Sequence, residues 1–450
     1  MQHKARRWIG RTVGVLFALS LLLFLALLRV PRIDGQLIGS DGVGYYVYLP
    51  ALLVEGDLDF TRAYAYYQSA FTAPPPTPLG LPGNKYAVGP ALLWSPFFLI
   101  AHLLALAGRT LGLSLATDGL GNFYQAWVCA GSIVYGALGF ALAGRSAARF
   151  AAPSAAAAAV ALVWLAGNAI YYLVFEPSMS HAVSLFAVAL LLTIWLERFW
   201  GQPAPGLGWC ALLGAAGGLV VLVRLQDAPF LLLPLGHGLV RLGRALRAGD
   251  MAGAWRWLLG GLLAGVCVLL VFAPQLLVWQ RLYGVWTTSP YAEDHNPPFY
   301  WLRPQLGGVL FSTYHGLFTW HPVLLGSLAG LLLWARRGGA LPLALLGLLG
   351  LNVYVVAAWW AWWQGDSFGG RMFISATWIW VVGLALLLDR LRTGAAWRRA
   401  AVAVALVLLI WNGLSLAQYR LGLVPRSAPL TWQQMTIERL RLPLELVRRL

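Results

Sequence analysis

Charge is what this chain lacks. Asp, Glu, Lys and Arg make up 11% of its 450 residues while 60% are hydrophobic, against about 25% charged in an ordinary soluble domain. That balance excludes a soluble globular enzyme, and it excludes a disordered chain, which needs high polarity. Lysine is nearly missing: Lys4 and Lys85 stand beside thirty arginines. Cysteine is scarce too, and Cys129, Cys210 and Cys267 all sit inside apolar runs. No CxxC or metal-type spacing joins them, which argues against disulfides and a cysteine metal site; they read as small core residues. The net charge of +16 would suggest nucleic acid in a soluble protein. Here the basic residues flank apolar runs of membrane-spanning length, so charge sidedness across a bilayer accounts for it and no nucleic-acid partner is expected.

A hydrocarbon core of about 30 Å needs about 20 helical residues. Runs of that kind cover 12–30, 121–143, 154–175, 179–197, 257–279, 317–335, 340–359, 372–389 and 400–418. Two shorter pieces, 209–225 and 228–240, read as a helical pair broken around Gln226, Asp227 and Pro229. The run 88–107 carries Pro90, Pro96 and His102, and interior prolines kink or break a helix. Placing that run in the outer interface puts Arg145, Arg149, Arg198, Arg241, Arg244, Arg247, Arg336, Arg337, Arg390 and Arg392 all in the cytoplasm, as the positive-inside rule requires.

The expectation is an all-α polytopic membrane protein of about eleven spans (range about 10–13), in the plasma (inner) membrane. Its N-terminus is inside and its C-terminus outside, and the basic first span is retained because no small-residue cleavage site follows it. A catalytic membrane module covers 1–279, with a long first external loop over about 31–120 carrying interfacial helices. A C-terminal membrane region covers 280–450, with external loops at about 280–316 and 360–371. On this layout 13 of the 16 acidic residues face outward, which directs the search for chemistry to that side.

Four external stretches stand out. Asp41 opens Asp41-Gly42-Val43-Gly44-Tyr45-Tyr46; between small residues it can take a proton from a sugar hydroxyl or simply start a helix, with Tyr45 and Tyr46 beside a substrate. Lys85 is the one external lysine in a chain that defaults to arginine, and its compact ammonium suits a phosphate oxygen, or else it snorkels at the interface. Glu176 and His181 lie at the boundary between two apolar helices, where lipid exposure would be costly, so they should face protein or a water-filled cavity. Asp366 and Arg371 follow four tryptophans, Trp359, Trp360, Trp362 and Trp363. The tryptophans fit an aromatic belt or a sugar platform, and Arg371 can clamp a phosphate or pair with Asp366. The loop of about 281–322 adds Tyr291, Glu293, Asp294, His295, Arg303, His315 and His321. It reads as a substrate cover; a divalent metal is possible but not favoured, since no HExxH-like spacing occurs.

With these residues the chain resembles the GT-C superfamily of polytopic glycosyltransferases, the group that includes protein O-mannosyltransferases and lipid A aminoarabinose transferases. The resemblance implies a catalytic Asp in the first external loop, matched by Asp41, and a second acidic position between the third and fourth spans, matched by Glu176. It also implies a donor-phosphate contact later in the first loop, matched by Lys85. Asp41 is followed by Gly42 where the common motif has a second acid. The implied activity is transfer of a sugar from a polyprenyl-phosphate donor to a hydroxyl of a glycan, lipid or protein at the periplasmic side of the cell envelope. Inversion is expected, with Asp41 as base, Glu176 and His181 as further catalytic residues, and Lys85, Arg371, Arg303, Tyr45, Tyr46 and Asp366 as donor or substrate contacts. The alternatives are a transporter or flippase, in which Arg224 and Asp227 would line a pathway, and an O-antigen-ligase-like transferase relying on residues such as Arg303 and His315.

Overall fold

The structure, a computed structural model, describes residues 2–30, 36–288 and 297–449. Among these there is no β-strand, only the isolated bridges Pro76–Pro82 and Phe299–Trp359. Helices carry the fold: α1 (Gln2–Leu27), α2 (Asp41–Tyr46), α3 (Gly89–Thr110), α4 (Asn122–Ala147), α5 (Pro153–Ala166), α6 (His181–Arg198), α7 (Leu207–Val223), α8 (Leu232–Arg247), α9 (Met251–Tyr283), α10 (Val323–Ala335), α11 (Ala340–Ala358), α12 (Thr377–Leu391), α13 (Ala395–Arg420) and α14 (Arg439–Arg449). Eight helices among the described residues are long and apolar enough to cross a bilayer, and α5, α7 and α10 are shorter apolar helices. The all-α polytopic expectation holds.

The helices group into two compact units, one of residues 1–16, 140–171 and 295–450, the other of 17–139 and 172–294. In the second, α7 packs on α6 and α9. A Cβ at Gly214 would run into the Ala264 backbone, and one at Gly218 would meet Val268. This GxxxG spacing lets two backbones approach where lipid offers no hydrophobic drive for association. In the first unit α12 packs against α10 and α5.

Two segments depart from the hydropathy pattern, and a third follows it in detail. The run expected to lie broken at 88–107 forms the continuous 22-residue α3, because Pro90 occupies the first turn, where no backbone donor is needed. At 1.5 Å per residue such a helix is long enough to cross, yet the chain comes back. Tyr48 donates to the Tyr86 carbonyl just before α3 (2.9 Å), and Tyr46 donates to the Gly119 carbonyl after it (2.6 Å). One short segment therefore holds both ends of the excursion. Alongside, α3 runs antiparallel to α4, with Leu93 bonded to Tyr135 and His102 to Tyr124.

The helical pair expected at 209–225 and 228–240, broken around Gln226, Asp227 and Pro229, is α7 and α8, and the break is a 3-10 segment, Leu225–Leu231. It continues as α8, with Arg241, Arg244 and Arg247 towards its end. Because α7 and α9 pack in parallel, Gly214 on Ala264 and Gly218 on Val268, α8 returns the chain to the level at which α9 begins, where Arg241 lies over Trp257. The span expected over 154–175 stops at Ala166, and Asn412 of α13 donates to the carbonyls of Leu165 (2.8 Å) and Gly167 (3.0 Å). Freed backbone carbonyls at membrane depth need such partners.

Candidate functional site

The second unit gathers the first-loop motif and the turn before α6. Ser40 enters α2 at φ 50°, a sparsely populated backbone region for a residue with a side chain, and its N–H donates to the Ala70 carbonyl (2.9 Å). Asp41 follows as the first helical residue. The N-cap position belongs to Ser40, and Asp41 Oδ1 accepts a hydrogen bond from the Tyr86 hydroxyl at 2.8 Å.

The two glycines after Asp41 have separate steric reasons. A Cβ on Gly42 would overlap Ser178 Oγ, and one on Gly44 would overlap the Tyr86 ring. Asn84 closes the arrangement: its Nδ2 donates to the Gly44 carbonyl (2.8 Å), and its Oδ1 accepts from the Tyr86 N–H (3.0 Å). Lys85, half-buried, holds its ammonium 5.9 Å from the Tyr86 ring centre. The Tyr86 hydroxyl thus bonds the carboxylate while its ring lies at the outer edge of cation–π range from the lysine.

Tyr45 stacks edge-on against Tyr86 at 4.9 Å, and its hydroxyl accepts from Ser180 at 3.1 Å. Tyr46 is fully buried and, as described, holds the return of α3. Burial pushes the Tyr46 and Tyr48 hydroxyls well above their ordinary pKa, so both remain neutral donors.

The turn that meets α2 is Glu176–Ser180. Glu176 is half-buried and Ser178 buried. The next residue, His181, is buried against the edge of Tyr172, ring centres 4.6 Å apart. Its Nδ1 lies 2.9 Å from Arg224 Nη1, and Arg224 Nη2 donates to Gln226 Oε1 at 2.7 Å. One turn along α6, Ser184 donates to Asp227 at 2.5 Å. Asp41, Tyr45, Lys85, Glu176 and His181 therefore belong to one unit, and Asp41 and Tyr45 sit on elements in contact with the 176–181 turn.

Tyr86, Ser180 and the attachment of Arg224 to His181 were not assigned from sequence. Tyr86 directly follows Lys85 in the chain, and Arg224 was considered only as a pathway residue of a transporter. Their partners are 45 and 43 residues away in the chain, beyond any local pattern.

The other unit holds Arg303, Asp366 and Arg371. Arg303 and Asp366 are exposed and Arg371 is buried. Gln364 and Gly365 both have positive φ, and Gln364 Oε1 accepts from the Met372 N–H at 2.8 Å, which folds the 364–372 segment back on itself. Tyr314 stacks on Trp363 at 5.9 Å. His315 Nδ1 donates to the Trp363 carbonyl at 2.8 Å. Burial pushes the imidazole of His315 down to about 4 and that of His321 to about 3, so both are neutral at physiological pH. Among the described residues no group of three His, Cys, Asp or Glu could hold a metal; Tyr291, Glu293, Asp294 and His295 lie outside the described residues.

The chain is helical and polytopic, and its first long loop meets the turn before α6 through Gly42 and Tyr45. No family model matches this chain and no curated protein matches it. Among solved structures, it is similar to the crystal structure of ArnT from Cupriavidus metallidurans bound to undecaprenyl phosphate. The TM-score is 0.50 at 16% identity, over 91% of this chain and 72% of that one. The likeness is one of fold, and the chain has the GT-C fold of that transferase.

Proposed function

We propose that the protein is a membrane glycosyltransferase that moves a sugar from a polyprenyl-phosphate donor to an acceptor hydroxyl at the external face of the inner membrane. The observation that carries this is the Asp41–Tyr86–Lys85 cluster: a carboxylate oriented by a tyrosine hydroxyl, with an ammonium on the same ring. The fold is that of a protein whose structure holds undecaprenyl phosphate, which favours a lipid phosphate as donor.

In the reaction, the acceptor hydroxyl gives its proton to Asp41 as its oxygen bonds to the anomeric carbon. The bond from that carbon to the phosphate oxygen breaks, both electrons go to the phosphate, and configuration inverts. Since a phosphate leaves as a stabilised anion, no second carboxylate is needed as general acid, in contrast to glycoside hydrolysis. Lys85 neutralises the leaving group; one cation about 4 Å away is worth roughly 4 kcal/mol at an effective dielectric near 20. Glu176 orients the acceptor, and His181 contacts the bound substrates. Arg371, in the other unit, is a separate candidate for a phosphate contact, tested independently by Arg371→Gln. Arg224 and Asp227, the residues that favoured a transporter, bond to His181 and Ser184 at the start of α6, which removes the main support for that alternative.

The test is Asp41→Asn in full-length protein reconstituted with an undecaprenyl-phosphate-linked sugar. Transfer is lost while folding and membrane insertion are unchanged; normal transfer by this variant would falsify the assignment of Asp41. Lys85→Ala raises the KM for the donor by about tenfold or more and affects the acceptor less. Equal effects on both substrates would remove the phosphate role.

A further inference from the structure

His181 lies beside the turn that meets Asp41, and an imidazole there invites assignment as a base. The hydrogen bond on its Nδ1 says otherwise. An arginine side chain carries five donors and no acceptor, so in the 2.9 Å contact between Arg224 Nη1 and His181 Nδ1 the ring nitrogen must be the acceptor. A neutral imidazole with a lone pair on Nδ1 has its proton on Nε2.

The guanidinium is itself fixed. Its second terminal nitrogen donates to Gln226 Oε1 at 2.7 Å, and Arg224 is only 7% exposed. Gln226 and Asp227 belong to the 3-10 segment that interrupts the chain between α7 and α8, and Asp227 accepts from Ser184, one turn beyond His181 on α6. Two contacts therefore tie that segment to α6, and one of them ends on the imidazole. The edge-on ring of Tyr172 holds the imidazole plane from another side. This gives a chemical use to the break in the apolar pattern at 224–229, which the transferase scheme leaves unused.

We infer that Arg224 is a positioning residue that locks His181 as the neutral Nε2–H tautomer, so that His181 serves as a fixed hydrogen-bond donor and not as a proton acceptor. Resting on the transferase proposal, the group it serves is the phosphate oxygen that gains negative charge as its bond to the anomeric carbon breaks. Preorganised donors of that kind act in the transition state without reorganising.

The tautomer is read without any substrate, by nitrogen NMR on full-length protein labelled at histidine nitrogen and held in lipid nanodiscs. The His181 signals are assigned by their loss in His181→Gln. The expected spectrum has an unprotonated Nδ1 and a protonated Nε2, retained in Arg224→Lys, where the lysine also has donors only, and replaced by mixed tautomers or imidazolium in Arg224→Met. A proton on Nδ1 in the unaltered protein overturns the inference whether or not Arg224→Met folds, and so does a spectrum that Arg224→Met leaves unchanged.

Turnover supplies the second arm. Glutamine sets an amide N–H near the place of Nε2, whereas asparagine reaches only the place of Nδ1. His181→Gln is therefore expected to turn over about 10²-fold faster than His181→Asn. The reverse order overturns the donor role. If Asp41→Asn retained full transfer, the assignment of the reaction would fall while the NMR result still decided the tautomer.

Discussion

The hydrogen bond from Tyr86 to Asp41 sets what each of these side chains can do. A phenol donating to an ionised carboxylate is a charge-assisted bond, and here it fixes the direction of Asp41 Oδ1 at 2.8 Å. Tyr86→Phe keeps the ring that packs on Gly44 and Tyr45 and removes only the donor. Since bonds to charged groups contribute about 1.5–3 kcal/mol, turnover should fall roughly tenfold to a hundredfold with donor KM little changed. A variant with unaltered turnover would show that Asp41 is held by other means. Asp41, Lys85 and Glu176 were legible in the sequence because each is an exception to composition: an acid or a lysine in a chain with few of either. Tyr86 was not, since tyrosine is ordinary at an interface and its meaning lies in a partner far along the chain. From sequence, the small residues beside Asp41 suggested room for a substrate. The structure shows that room occupied by Ser178 and Tyr86, so the glycines bring elements together.

At the scale of elements, the apolar runs and the break at Gln226–Pro229 were legible, and the break inside 317–335 was not. The expected run 317–335 is a short helix, Leu317–Trp320, a break at His321 and Pro322, and then α10. Hydropathy averages over such breaks, while the proline and the buried imidazoles decide them. These imidazoles carry a pH dependence. His315 and His321 titrate near 4 and 3 when folded and near 6.5 when unfolded, so the unfolded chain binds more protons between those values. Stability therefore rises with pH in that interval: the contribution is complete above about pH 6.5 and is lost as pH falls towards 4 and then 3. Thermal unfolding of the detergent-solubilised protein should show Tm lower at pH 5 than at pH 7.5. His315→Gln and His321→Gln should each reduce that difference. A Tm independent of pH over this range in the unaltered protein would contradict neutral burial of these two side chains.

For the whole molecule, the question hydropathy leaves is which helices carry the chain across. The sequence pattern supported about eleven spans, and the described residues include eight long and three shorter apolar helices, but the membership differs. The expected piece 228–240 is α8, which returns the chain between the parallel α7 and α9 but is too polar to count among these eleven, whereas α3 qualifies by length and composition. Counting α3 as a crossing would reverse the side of every later loop. The placement of both its ends on Tyr46 and Tyr48 argues that it leaves and re-enters on one side. So does the contact of Gly42 and Tyr45 with Ser178 and Ser180, which keeps the first loop and the turn before α6 at one level. The positive-inside expectation assigns the end of α8, with Arg244 and Arg247, to the cytoplasm and the first loop to the opposite face, an assignment that labelling tests. The expected result uses single cysteines at exposed positions in a cysteine-free background: Ser69 and Ser114 before and after α3, and Ala248 beyond α8. Ser69→Cys and Ser114→Cys should both react with a membrane-impermeant maleimide added outside intact cells, and Ala248→Cys only after the membrane is opened. If Ser114→Cys behaved like Ala248→Cys, α3 would be a crossing helix. The positive-inside count would then have to be redrawn for everything that follows it, and the shared level of Asp41 and Glu176 would need another explanation.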